Sequence, residues 1–366
     1  MSPTPVPDPS GTPLSGAPPD FRGLDIVVVG DLLADRYVYA RPSRPSREAP
    51  LMVLREEGTE ALPGGAANTA RNVRSLGARV RLIGCLGDDS AGRTLRDTLV
   101  AEGVDLEGVK ICADWATPVK TRVLAGERNR PLQQVLRLDR EPDGPAALEL
   151  RRALAARLVE LADEVDGVIV SDYGYGMCDD VLAAALERFR ARSAAPVVVD
   201  PRVGGRRFRS ATAMTPNLED LARMGGVQVD ALSSPVTRAR VAASVLGAGD
   251  LEWLLLTEGK AGMTLFGRGL PEEGLGLPAF GASAVIDVTG AGDTATALFT
   301  LGLAAGLSGP DAMLLANAAA GSVVMKLGAA VCTSDELAAA CAAVAPEIRA
   351  GLAAQLSELI PEEPLG

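Results

Sequence analysis

The 366-residue chain contains no histidine. Ser-His-Asp and Cys-His nucleophile systems, His-ligated zinc and any imidazole acid or base are therefore excluded. A His-x-Gly-His nucleotidyltransferase site is excluded for the same reason. Lysine is scarce: Lys110, Lys120, Lys260 and Lys326 stand in an otherwise arginine-based set of 36 basic residues, a bias that reads as genome composition. Aromatic residues make up 3%, too few for base-stacking platforms. The net charge of −11 argues against nucleic acid or an anionic membrane surface as a partner. Five cysteines (Cys85, Cys112, Cys178, Cys332, Cys341) form no Cys-x-x-Cys pair, which suits reduced thiols in a cytoplasmic protein. The proline-rich start has no basic, apolar leader pattern. The longest uncharged stretch, Thr294 to Pro310, is too short and too rich in Gly and Ser to span a bilayer. There is no Gly-x4-Gly-Lys-Ser/Thr loop and no protein-kinase catalytic loop, so a nucleotide must be held in another way.

What is present reads as an α/β protein. Residues 1–20 are expected to form a disordered tail, residues 21–360 one domain, and residues 361–366 a short C-terminal tail. The apolar run from Asp25 to Gly30 suits a buried parallel strand. Further strands are expected at 79–84, 167–170, 197–200 and 253–257. Helices are expected at about 67–76, 91–102, 148–161, 181–192, 218–224 and 236–246. This alternation implies a mostly parallel, doubly wound sheet with helices on both faces. The last third, 290 to about 359, reads as helix-rich. Two pieces do not alternate, 37–62 and 117–139. The second contains two strands, 120–125 and 132–138, around a Gly-Glu-Arg-Asn-Arg turn. Together the pieces are expected to form a small β-rich appendage.

The stretch Ile286-Asp287-Val288-Thr289-Gly290-Ala291-Gly292-Asp293-Thr294-Ala295 carries the most chemistry. It reads as a strand end, a small-residue turn and a helix start. Gly290 and Gly292 allow close backbone approach, and first-turn N–H groups attract an anion. Asp293 sits where a carboxylate can reach a hydroxyl beside that anion, which supplies the parts for phosphoryl transfer. The same stretch also fits a Gly-x-Gly-x-x-Ala dinucleotide fingerprint, and Asp293 could simply cap a helix. Gly64-Gly65-Ala66-Ala67-Asn68 opens a helix with room for a ligand, and Asn68 can donate and accept toward hydroxyls. Asp31 follows the first strand, where parallel sheets place ligand groups. Asn217-Leu218-Glu219-Asp220 starts another helix with one amide and two carboxylates. Plain turn and capping roles account for these three places equally well.

Gly64 to Asn68 and Asp287 to Thr294 resemble the two signatures of the ribokinase-like (phosphofructokinase B type) carbohydrate kinases. The resemblance covers roughly 24–333. Within that family several stretches are most similar to the D-glycero-β-D-manno-heptose 7-phosphate kinases: Gly30 to Tyr37, Ser46 to Pro50, Gln133 to Asp139, Ser171-Asp172-Tyr173 and Asn317 to Gly321. Kinases of this kind are often fused to a His-x-Gly-His nucleotidyltransferase, and this histidine-free chain is expected to hold the kinase half alone. The resemblance implies a ribokinase-like fold whose β-rich lid comes from about 37–62 and 117–139 and also serves as a candidate homodimer interface. It implies ATP and Mg2+, with a monovalent cation as a further candidate. Asp293 would be the base, with Gly290, Ala291 and Gly292 as the anion hole. Asp31, Gly64, Gly65 and Asn68 would hold the sugar. Asn217, Asp220, Thr257, Glu258, Gly259, Gly262 and Asn317 would surround ATP, and Asp220 would reach the metal through water. The implied reaction is phosphorylation of heptose 7-phosphate at its anomeric hydroxyl, giving the 1,7-bisphosphate. Other readings are a kinase for a different sugar such as ribose or fructose phosphate, a dinucleotide-dependent oxidoreductase, or a non-catalytic sugar-binding protein. A 7-phosphate is a dianion far from the reacting hydroxyl, and in a lysine-poor chain Arg137 and Arg202 are the candidates to bind it. The likeness departs at Asp220, where the family has Glu, at Tyr175, where heptose kinases usually carry Lys, and at Arg202, where they tend to have Lys.

Overall fold

The computed structural model describes residues 17–126, 132–281, 285–344 and 352. The expected N-terminal tail up to residue 16, turn residues 127–130, the C-terminal tail and most of 345–360 lie outside the described residues.

The chain begins with β1 (Asp25–Gly30), β2 (Leu32–Pro45) and β3 (Met52–Gly65), then α1 (Ala66–Ser75), β4 (Arg79–Gly87) and α2 (Ser90–Ala101). Next come β5 (Asp105–Cys112), β6 (Val119–Ala125), β7 (Gln133–Arg140), α3 (Leu148–Glu160), β8 (Gly167–Ser171), α4 (Asp180–Arg190) and β9 (Val197–Asp200). Then follow β10 (Ala213–Met214), α5 (Leu218–Gly225), α6 (Pro235–Leu246), β11 (Trp253–Thr257), β12 (Met263–Gly267) and β13 (Leu275–Leu277). The last elements are α7 (Ala291–Ala304), α8 (Gly309–Val323) and α9 (Ser334–Ala343).

Nine strands form one sheet in the order β13-β12-β11-β10-β9-β8-β1-β4-β5. Its pairings are parallel from β10–β11 through to β4–β5, and antiparallel where β12 and β13 join the edge. Side chains alternate across each strand, so the apolar run of β1 must be covered twice. Ile26 and Val28 join a core that holds α1, α7 and α8, whereas Val27 and Val29 join one that holds α3 and α4. Each face of the sheet therefore has its own helical layer. Among the described residues no helix is long and apolar enough to cross a membrane.

The second sheet has four strands in the order β3-β2-β6-β7. It is built from the two non-alternating pieces, 37–62 and 117–139, and extends slightly beyond them. β2 starts at Leu32, directly after the first strand, and pairs with β3 from Leu32↔Gly65 to Pro45↔Met52. The roots of this hairpin are tied to the main sheet, since Ala66 N–H donates to the Asp31 carbonyl at 3.0 Å. One expectation is corrected. Residues 285–289 are not a strand end but a loop, held by the Ile286 and Asp287 N–H groups on the Val324 carbonyl. The Asp287 carboxylate also accepts from the N–H and hydroxyl of Thr289. A dinucleotide fingerprint needs a strand feeding the glycine turn, so that reading loses its structural context here.

Candidate active site

Four segments meet beyond the C-terminal ends of β1 and β8: Asp31, the start of α1, the turn 172–177 and the start of α7. Asp293 is the third residue of α7 and is 3% exposed. Gly290 precedes the helix at φ +81°, and a Cβ there would lie 2.6 Å from Asn68 Nδ2. Glycine is what lets α7 begin against Asn68. The Asp293 carboxylate accepts two hydrogen bonds, from Asn68 Nδ2 (2.9 Å) and from the Tyr173 hydroxyl (2.8 Å). Burial dominates its acidity and pushes the pKa up to about 6. The two hydrogen bonds and Lys120 pull it down, and Asp35 pushes it further up. Beside it Gly292 is exposed with open space where a side chain would stand. The Ala291 N–H is spent on the Val288 carbonyl at 3.3 Å, while those of Gly292 and Asp293 have no partner among the described residues. Together with a buried carboxylate that titrates at about 6, they offer an anion site next to a base.

Asn68 is fully buried, and among the described residues its Oδ1 has no hydrogen-bond partner. An orphaned buried acceptor costs about 1–3 kcal/mol, which a ligand hydroxyl can offset. Asp31 is differently placed from a free sugar ligand. It is fully buried, and its carboxylate accepts the N–H groups of Tyr173, Tyr175 and Met177 at 2.9–3.1 Å. It shapes the turn that presents Tyr173. Gly64 and Gly65 are buried as well. A Cβ on Gly64 would lie 2.2 Å from Asp35 Oδ2, and one on Gly65 2.6 Å from the Asp31 carbonyl. Both glycines allow close packing of the hairpin root.

The residues expected around ATP cluster at the ends of β10 and β11, where Asn217 and Thr257 form a parallel bridge. Asn217 caps α5 by accepting the Asp220 N–H at 2.9 Å. Glu258 pairs with Arg238 and accepts the Thr264 hydroxyl. Gly259 and Gly262 turn the chain at φ +56° and +104°. Asn317 spends both ends of its amide on the segment before residue 281, accepting from Phe280 N–H (2.9 Å) and donating to the Pro278 carbonyl (2.7 Å). It anchors that segment. Asp220 is 3% exposed and pairs with Arg223 at 2.7 Å. Burial raises its pKa.

Three residues near Asp293 were given no role by the motifs, although Tyr173 lies in one of the family-like stretches. Burial raises the Asp200 carboxyl well above its ordinary range, with Asp293 and Asp220 adding to the effect. Tyr173 bonds Asp293 directly. Lys120 lies with its Nζ 4.3 Å from the Tyr173 ring centre and 5.9 Å from that of Tyr175. Of the two arginines expected to bind a phosphate, Arg137 gives both guanidinium arms to Asp139 at 2.7 and 2.8 Å. Arg202 is exposed in the loop after β9, its N–H on Asp172 and its carbonyl accepting from Arg223.

Residues 24–336 match the model of the pfkB family carbohydrate kinases. The chain is 42% identical over 325 residues to the bifunctional protein HldE of Halorhodospira halophila, covering 88% of this chain and 64% of that protein. It is 40% identical over 327 residues to the protein of the same name from Caulobacter sp. strain K31, again covering 88% and 64%. It thus spans a little under two thirds of the length of these relatives. Among solved structures it is similar to Arabidopsis thaliana ribokinase complexed with ribose and ATP, with TM-score 0.66 and 20% identity over 87% of this chain and 98% of that one. It is also similar to phosphofructokinase-2 from Escherichia coli in complex with potassium, with TM-score 0.69 and 17% identity over 90% and 99%. The fold is therefore ribokinase-like.

Proposed function

The chain belongs to the pfkB family of carbohydrate kinases, and on that premise we propose that it transfers the γ-phosphoryl group of ATP to a sugar phosphate. The acceptor we propose is heptose 7-phosphate, taken at its anomeric hydroxyl. The observation that carries the chemistry is Asp293, buried between Asn68 and Tyr173 at the start of α7. The acceptor hydroxyl gives its proton to the Asp293 carboxylate as its oxygen attacks the γ-phosphorus in line. Charge on the phosphoryl oxygens is met by the amides at the start of α7. Asn68 Oδ1 is the acceptor for a second sugar hydroxyl. The heptose reading draws its support from the stretches Gly30–Tyr37, Gln133–Asp139 and Ser171–Tyr173. A coupled ADP-release screen over phosphorylated and free sugars tests it. The expected result is a heptose 7-phosphate rate well above that for any free sugar. A strong preference for a free sugar discards the reading.

Buried carboxylate oxygens are hard donors of the kind magnesium takes through water. Asp220 is buried and is coupled electrostatically to the half-buried Asp200, and the two fit that need. These two would hold the ion, which supplies charge neutralisation for the phosphates of ATP. Arg223 already pairs with Asp220 and would compete for it. Asp220→Ala is therefore expected to raise the magnesium concentration for half-maximal rate several-fold, and Asp220→Glu to restore it. An unchanged magnesium dependence in Asp220→Ala would leave Asp220 only its place in the first turn of α5. The bound potassium of the phosphofructokinase-2 neighbour makes a monovalent requirement part of the proposal, checked by exchanging potassium for choline. The four-stranded sheet is the proposed lid. Leu136 and Leu138, about half exposed on β7, support a homodimer through it, which sedimentation at two concentrations checks.

A further inference from the structure

The second sheet arranges charge in rows. Directly paired residues of neighbouring strands point to the same side, as do residues two apart along a strand. One row runs Asp35, Lys120, Asp139 across β2, β6 and β7. The next runs Tyr37, Arg122, Arg137. On this face Arg122 pairs with Asp35, and Arg137 with Asp139. Each guanidinium thus takes one of the two aspartates that flank Lys120. The ammonium is left as the surplus charge of the lattice. Among the described residues it has no hydrogen bond or ion pair. It reaches instead over the rings of Tyr173 and Tyr175, toward the carboxylate that Tyr173 holds.

Burial lowers the pKa of Lys120, Asp35 and Asp293 raise it, and Arg137 and Arg202 lower it further. Arg202 comes from the opposite wall, on the loop after β9, and its guanidinium also has no hydrogen bond or ion pair among the described residues. Lys120 and Arg202 are in electrostatic reach of each other beside the base. Asp35, Asp139 and Asp293 act on Lys120, and Asp200 and Asp220 on Arg202, but none of these carboxylates bonds either cation among the described residues. An ammonium removed from water needs a compensating charge. Of the carboxylates around Lys120, Asp35 and Asp139 are each bonded to an arginine, and Asp293 is held by Asn68 and Tyr173.

We infer that Lys120, opposed by Arg202, is the subsite for a phosphate group carried by the acceptor sugar, and that Arg137 serves it only by keeping Asp139 away from Lys120. This rests on the sugar-phosphate reading above. Lys120 is then a specificity-determining residue, reading the distal phosphate while Asp293 reads the hydroxyl.

The experiment compares kcat/KM for heptose 7-phosphate and for the unphosphorylated heptose. Lys120→Met keeps an unbranched stem over the tyrosines. Measured at about pH 8.5, above the titration of Asp293 that Lys120 itself influences, it is expected to lower kcat/KM for the phosphorylated sugar by 10- to 100-fold, mostly through KM, and for the free sugar by less than 3-fold. Lys120→Arg should recover part of the loss. Arg137→Met should also impair the phosphorylated sugar, because Asp139 is freed to capture Lys120, and Arg137→Met/Asp139→Asn should restore it. Equal losses on both sugars in Lys120→Met overturn the inference, and so does a double variant no better than Arg137→Met. If the wild-type enzyme prefers the free sugar, the acceptor reading fails by itself. The subsite is then decided by calorimetry with inorganic phosphate and saturating non-hydrolysable ATP analogue. Phosphate binding that disappears in Lys120→Met, with an unchanged melting temperature, supports it. Binding that persists, or none in the wild type, overturns it.

Discussion

Asp293→Asn is expected to lower kcat by about 10²–10⁴, the range for a lost general base, with little change in ATP affinity. The substitution is close to isosteric. An asparagine can still accept from Asn68 with its oxygen, and its NH2 can donate to the Tyr173 hydroxyl, which turns from donor to acceptor. The start of α7 keeps its amides. What is lost is the capacity to take a proton. Wild-type kcat should itself rise with pH through about 6, where Asp293 ionises. Tyr173→Phe removes one of the bonds that favour the carboxylate and should move that midpoint upward. Near-normal turnover in Asp293→Asn would remove Asp293 from the base role.

Stability is expected to run against activity between pH 7.5 and 5. Burial pushes both Asp31 and Asp293 from 3.8 to about 6. A carboxyl whose folded pKa is raised contributes stability that is present below its unfolded pKa and lost as pH rises through the folded value. At about 1.4 kcal/mol per pKa unit, each group costs about 3 kcal/mol at pH 7.5 and about half of that at pH 5. The pair should therefore add about 3 kcal/mol on acidification, seen as a higher Tm at pH 5 while kcat falls about tenfold. Asp89, Asp139 and Glu336 are held below their ordinary range, so their loss falls at lower pH, outside this window. Asp293→Asn should flatten part of the rise. A Tm that drops steadily from pH 7.5 to 5 would contradict the account.

β1, β4, β8, β9 and β11 were legible because each is a short, mostly apolar run between turn residues, as in Val197–Asp200 and Trp253–Thr257. Helix ends were legible where glycine or a cap marked them: Gly77 follows α1 at φ +94°, and Asp179 caps α4. β5, β10, β12 and β13 were missed: β10 has two residues, β12 and β13 have five and three beside Gly262 and Gly274, and β5, at the other edge, mixes charged and apolar residues. The β-rich piece was expected from residue 37 but begins at Leu32, because the mostly buried first half of β2 follows directly on β1. For the site, Asp293 and Asn68 stand in glycine-rich signatures that announce themselves. Lys120 does not. Its meaning depends on register with Asp35, 85 positions earlier, and with Asp139, 19 later, and no local pattern encodes either. For Arg137 the charge was visible in the sequence, but its pairing with Asp139 was not.

The long hairpin of β2 and β3 has a mechanical consequence. Fourteen residues at about 3.3 Å each make an arm of roughly 45 Å, rooted where Asp31 and Gly65 join the main sheet. Pivoted at that root by about 10°, a straight arm of this length would swing its tip by about 8 Å, but a point 10 Å from the root by under 2 Å. The register shifts at Tyr39/Ala40 and Pro42/Arg44 bend the arm and shorten its effective reach. Asp35 and Lys120 sit near the fulcrum, Leu51 and Met52 at the far end. Leverage of this kind lets the tip travel far while the charges beside the base barely change address. Sequence drift at the tip should then be borne easily, whereas a single added methyl at Gly64 or Gly65 jams the pivot.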